Sequence, residues 1–166
     1  KLEGEQAIQA AGGAYLILRT SWVYSMRQGG FVTKVLQWAR EQEVLRVVDD
    51  QISGPTSARL LAEVTALLLA RAGEDPYRWF GERAGIYHCA GDGACSRYEW
   101  AQKILELDPN KDKQKVKKLE RSKSSEFPTQ ATRPMVSVLS DDKLEQVFGL
   151  RLPRWQEALQ LAMDKR

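Results

Sequence analysis

A cation, two hydroxyls and two aromatics crowd into Arg19-Thr20-Ser21-Trp22-Val23-Tyr24, directly after the apolar run Leu16-Ile17-Leu18. Side chains of these kinds bind: guanidinium and hydroxyls hydrogen-bond polar ligands, and an indole offers a broad apolar face with one N–H. In open α/β sheets, ligands sit in the crevice beyond the carboxyl ends of buried strands, so this strand reads as the floor of a site. The other reactive side chains argue against metal or nucleophilic chemistry. His88 is the single histidine, so a multi-histidine metal site is ruled out and a Ser-His triad would have to use that residue. Its place in Gly85-Ile86-Tyr87-His88-Cys89-Ala90 is that of a satisfied strand residue. Cys89 and Cys95 flank Gly91-Asp92-Gly93 at a spacing that fits neither a zinc knuckle nor a CxxC redox pair. Both read as reduced structural thiols, and no metal site is expected.

The elements that must carry these residues alternate. A helix over Lys1 to Ala11 stops at Gly12-Gly13, and a strand follows over Ala14 to Thr20. Gly29-Gly30 opens a helix from Phe31 to about Glu41, with Phe31, Val35, Trp38 and Ala39 on one face as packing. A short strand, Leu45 to Val48, runs into the polar loop Asp49 to Thr56, and a helix spans Ser57 to Ala72. A strand over Gly85 to Ala90 precedes the capping box Ser96-Arg97-Tyr98-Glu99, which predicts a helix from Arg97 to Leu107. Then come a basic connector, strand-like around Val116, a strand over Val136 to Leu139, a helix over Asp141 to Phe148 capped by Ser140, and a last helix started by Pro153. This alternation argues an α/β fold with an at least partly parallel sheet. Yet no GxGxxG or GxxxxGK occurs, so the cofactor half of such a fold is not expected in this chain.

Charge and hydropathy narrow the partners. The net charge of +3 is concentrated in Lys111, Lys113, Lys115, Lys117, Lys118, Arg121 and Lys123, a run without interleaved aromatics, which argues against nucleic acid. No apolar run approaches the roughly 18 residues that span a bilayer, and no secretory leader is visible, so a cytoplasmic location is expected. A first helix with no N-cap ahead of Lys1, in a chain without an initiator Met, suggests the C-terminal part of something longer.

Five separated blocks closely resemble the dTDP-4-dehydrorhamnose reductase family, within the extended short-chain dehydrogenase/reductase superfamily. They are Lys1-Leu2-Glu3-Gly4-Glu5, Arg19 to Tyr24, Val47-Val48-Asp49-Asp50-Gln51 with Pro55-Thr56, Tyr87-His88-Cys89-Ala90-Gly91, and Arg133-Pro134 before Ser137-Val138-Leu139. The resemblance implies the C-terminal part of a Rossmann-like α/β enzyme, residues 1–166 forming its small substrate-binding portion and the N-terminal cofactor half being absent. It implies reduction of dTDP-4-dehydro-6-deoxy-L-mannose to dTDP-L-rhamnose by NADPH or NADH, held mainly by the absent half. The partner is then a dTDP-linked 4-keto-6-deoxysugar, with a homodimer left open. Lys1 matches the lysine of the family's Tyr-x-x-x-Lys motif, catalytic and cofactor-binding at once, because a lysine one helical turn from the tyrosine lowers the phenol pKa. The tyrosine, the catalytic Thr or Ser and the glycine-rich turn would lie before Lys1. Trp22 matches a substrate-contacting tryptophan, with packing at the sheet's end as the alternative. Arg133 matches a cation for the nucleotide diphosphate, with a helix-end salt bridge as its alternative. Gln51 and Phe31 lie in loops near the same pocket, and Arg19 is expected to tie loops together.

This chain departs from the family at Ser53-Gly54, where many relatives carry Gly-Ser or Gly-Ala before the proline, and at Gly30, where Asn is common. Two other functions stay open: a non-catalytic interaction subunit on the same scaffold, and a related sugar-nucleotide epimerase or reductase.

Overall fold

Short β-prone runs alternate with amphipathic helices throughout the computed structural model, which describes residues 1–27 and 29–164. In chain order the elements are α1 (Leu2–Ala11), β1 (Leu16–Arg19), β2 (Val23–Tyr24), α2 (Phe31–Glu41), β3 (Val44–Val48), β4 (Ile52–Ser53), β5 (Thr56–Ser57) and α3 (Ala58–Ala72). They continue with α4 (Pro76–Gly81), β6 (Gly85–His88), β7 (Cys95–Ser96), α5 (Arg97–Leu107), β8 (Lys118–Ser122), α6 (Asp142–Phe148) and α7 (Trp155–Met163). Strands β1 and β6, β2 and β5, and β3 and β8 pair in parallel; β4 and β7 pair antiparallel. Parallel pairs need helical crossovers, which the intervening α2, α3 and α5 supply. No described helix is long and apolar enough to cross a membrane.

Two apolar clusters hold the chain. One joins Val32 and Val35 of α2, Val47 of β3, Trp100 and Ile104 of α5, and Trp155 and Leu159 of α7 around Tyr24. The other joins Leu68 of α3, Tyr87 of β6 and Leu144 and Phe148 of α6 around Cys89 and Leu152. Both cysteines are free and buried, and burial pushes each thiol up to about 12, which leaves them protonated and unreactive at neutral pH.

The differences from expectation have local causes. The strand anticipated around Val116 forms two residues later, as β8, because Lys115 to Lys118 first hydrogen-bond to carbonyls at Ala39 and Glu43 and only then enter the ladder with β3. Residues 136–139 make no strand: their neighbour β4 is two residues long, and one bridge, Ile52 to Val136, is all it supports. Helix α4 was not anticipated, although Asp75-Pro76 is a start signal. The Asp75 carboxylate accepts the Arg78 N–H at 3.0 Å and proline takes the first helical position. Helix α6 begins at Asp142, whose N–H is bonded by the Ser140 hydroxyl at 3.3 Å, while the Asp141 side chain turns away to accept the Ala90 N–H.

Candidate functional site

The loop after β1 is shaped by a strained residue. Trp22 has φ 38, the one non-glycine with a positive φ among the described residues. Left-handed backbone at a bulky residue costs on the order of 1–2 kcal/mol and persists only where the surroundings impose it. Here the Trp22 carbonyl accepts the Thr56 N–H, the neighbouring Ser21 hydroxyl donates to Gly54 O at 2.6 Å, and the indole stacks on Trp100 with centroids 5.6 Å apart and planes at 12°.

Small groups then lock three loops together. Thr56 Oγ1 donates to Gly54 O and accepts the Gly91 N–H, and Ser53, fully buried, donates to Ser137 O at 2.8 Å. Backbone bonds Ile52 N to Met135 O and Ser137 N to Ile52 O fasten the segment that carries Arg133 beside β4. The loops run so close that a Cβ on residue 54 would meet Gly91 O at 2.8 Å, and one on residue 91 would meet Pro55 O at 2.2 Å. Only glycine fits at either place. The departure Ser53-Gly54 is therefore matched to this chain's own loop crossing.

These ties enclose a cavity of about 300 Å³ lined by Ser21, Trp22, Gln51, Arg97, Arg133 and Ser137, among others. Three of the anticipated residues, Trp22, Gln51 and Arg133, thus share one wall. Phe31 does not line the cavity; as the first residue of α2 it packs on Trp100, centroids 4.7 Å apart, and under the Arg97 guanidinium at 5.2 Å. Lys1 is exposed at the start of α1 and stands outside the cavity lining. The two regions are linked through Arg19, which pairs with Glu5 of α1 and lies next to Thr20 of the lining, so Arg19 ties a strand end to a helix. That hydrogen-bonded pairing with Arg19 lowers the Glu5 pKa.

Arg97 was not anticipated. Its guanidinium lies 4.3 Å from the Trp22 ring centroid, and its Nε donates to Gln51 Oε1 at 3.2 Å. Burial, with the charge of Arg133 in addition, pushes its pKa down. Among the described residues neither Arg97 nor Arg133 forms an ion pair. Nearby carboxylates are committed elsewhere. Burial alone would raise Asp49, but hydrogen bonds from Arg121 and Ser96 outweigh it and hold its pKa below the usual value; Asp50 is lowered by hydrogen bonds from Ser124. The cavity is therefore cationic at neutral pH, with an aromatic wall. It suits a ligand with anionic and flat or apolar parts.

Two other hollows suit it less. A groove of about 860 Å³ between α3 and α7 is walled by Met26, Leu60 and Leu161, and its two cations, Arg27 and Arg59, are matched in number by Glu63 and Asp164, Arg59 pairing with Glu63 at 2.8 Å. A hollow of about 420 Å³ on α5 presents Glu99 and Glu106, the wrong sign for an anion. Nor does the glycine turn after β6 offer a dinucleotide cradle: beside Pro55 O at Gly91, the space next to Gly93 is taken by the Trp155 ring at 3.4 Å. That turn therefore leaves no room for a diphosphate against its backbone.

Comparison with known proteins adds a family. The model of the RmlD substrate binding domain matches residues 1–166. A dTDP-4-dehydrorhamnose reductase of Sinorhizobium fredii is 39% identical over 158 residues, covering 95% of this chain and 52% of that protein. The crystal structure of a dTDP-4-dehydrorhamnose reductase from Clostridium acetobutylicum superposes with a TM-score of 0.83 at 32% identity, covering 99% of this chain and 53% of that one. Another, from Bacillus anthracis in complex with NADP, gives 0.78 at 30% identity, covering 98% and 52%. The chain spans about half the length of the curated relatives it matches.

Proposed function

The chain belongs to the RmlD substrate-binding domain family, and from that premise we propose that it is the nucleotide-sugar-binding part of a dTDP-4-dehydrorhamnose reductase. The whole protein then reduces dTDP-4-dehydro-6-deoxy-L-mannose to dTDP-L-rhamnose with NADPH or NADH, in the cytoplasm. The dinucleotide is held chiefly by the half of the relatives that this chain does not match, with Lys1 reaching toward it from α1. The share of this chain is to seat the sugar nucleotide: Trp22 offers its ring to the deoxysugar, Arg133 takes the diphosphate, Gln51 hydrogen-bonds within the pocket, and Phe31 supports it from behind.

The observation that carries this proposal is the cavity at the tip of β1, where Trp22 and two cations without carboxylate partners among the described residues face one space. A diphosphate supplies the missing negative charge, and guanidinium forks match phosphate oxygens in pairs. The test is a fusion of this chain to the N-terminal half of a curated relative. It should oxidise NADPH in the presence of the dTDP-4-keto sugar, whereas the chain alone should not. A folded fusion without turnover, or a chain that turns over NADPH by itself, would overturn the proposal.

A further inference from the structure

Arg97 touches three of the four other residues assigned to the ligand. It lies over Trp22 and Phe31, at 4.3 and 5.2 Å from their centroids, and it donates to Gln51 at 3.2 Å. Three features of its surroundings disfavour its charge, offset only in part by the two rings, Gln51 and Cys95. It occupies the first position of α5, where the helix dipole is positive; it lies within reach of the Arg133 charge; and no carboxylate pairs with it among the described residues. The Nε bond to Gln51 fixes the plane of the guanidinium, and the two terminal nitrogens make no hydrogen bond within the described chain. A cation kept half-buried, laid over two rings and without a carboxylate partner among the described residues is organised for an anion that arrives from outside.

The geometry points to Arg97 as a specificity-determining residue that grips the diphosphate together with Arg133, one guanidinium for each phosphate. This deepens the sugar-nucleotide assignment and rests on it. The rings hold the fork in place before the ligand enters, so selection falls on two adjacent phosphates and not on the nucleoside.

Calorimetric titration of this chain with dTDP and with thymidine, and with inorganic pyrophosphate as competitor, tests it. The unaltered chain should bind dTDP at least tenfold more tightly than thymidine, with pyrophosphate competing. Arg97→Gln should lose about tenfold for dTDP and leave thymidine unchanged, and Arg97→Lys, which keeps the charge but not the fork, should lose about threefold. Should Arg97→Gln fail to fold, the lysine variant decides alone, and wild-type affinity for dTDP in it overturns the proposal. Equal loss for dTDP and thymidine would mean that Arg97 only props Trp22, and this too overturns it. A chain that ignores dTDP altogether removes the sugar-nucleotide assignment itself, whereas dTDP binding indifferent to Arg97 removes Arg97 alone.

Discussion

Trp22 bears two burdens that substitution can separate: a ring shared with Trp100 and Arg97, and a backbone at φ 38. In the reductase fusion, Trp22→Ala should raise the Michaelis constant for the nucleotide sugar about tenfold, the loss of a contact worth roughly 1.4 kcal/mol. Trp22→Gly should weaken binding equally yet be more stable than the alanine variant by up to about 1 kcal/mol, since glycine accepts positive φ without strain. Equal stability of the two variants in denaturant melts would show that the backbone there is relaxed. That Trp22, Gln51 and Arg133 would share one cavity was legible from the blocks that resemble the family, with the strand-tip position of Trp22 pointing the same way. Arg97 was not legible in this way. It sits inside a capping box whose signal concerns the helix start: Ser96 accepts the Glu99 N–H and Glu99 accepts the Ser96 N–H. Nothing local says that the residue between them faces Trp22.

At the scale of elements, α6 is joined to the end of β6 by a carboxylate with an unusual titration. Burial raises Asp141 to about 6 against an ordinary 3.8, opposed in part by the Ala90 N–H and by His88, with Asp92 raising it further and Arg151 lowering it. The unfolded chain releases this proton near 3.8 and the folded chain near 6, so stability from this group is greatest below that window and declines as pH rises through it. Ionised Asp141 then costs the fold on the order of 2–3 kcal/mol above the window. Asp141→Asn, whose amide oxygen can still accept from Ala90, should gain stability relative to wild type between pH 4 and pH 7. Parallel melting curves that keep a constant offset across that range would contradict this. The long helices and the strands β1, β3 and β6 were legible because their apolar spacing and caps are local. Strand β8 and the irregular run 136–139 were not, since pairing with β3 makes one a strand and the shortness of β4 denies the other a ladder.

For the whole molecule, the two apolar clusters leave α1 without a buried side chain and Leu2 and Ile8 exposed at 61% and 45%, while β1 pairs with β6 alone among the described strands. In the proposed reductase these are surfaces for the remaining half to cover. The central claim, that a dTDP-sugar sits at the tip of β1, can be read from the indole N–H resonances of the five tryptophans during titration with dTDP. Trp22, and Trp100 stacked on it, should shift in a saturable way, together with the backbone around Gln51 and Arg133, while Trp38, Trp79 and Trp155 stay in place. Shifts confined to the groove between α3 and α7, or none at saturating dTDP, would contradict the account.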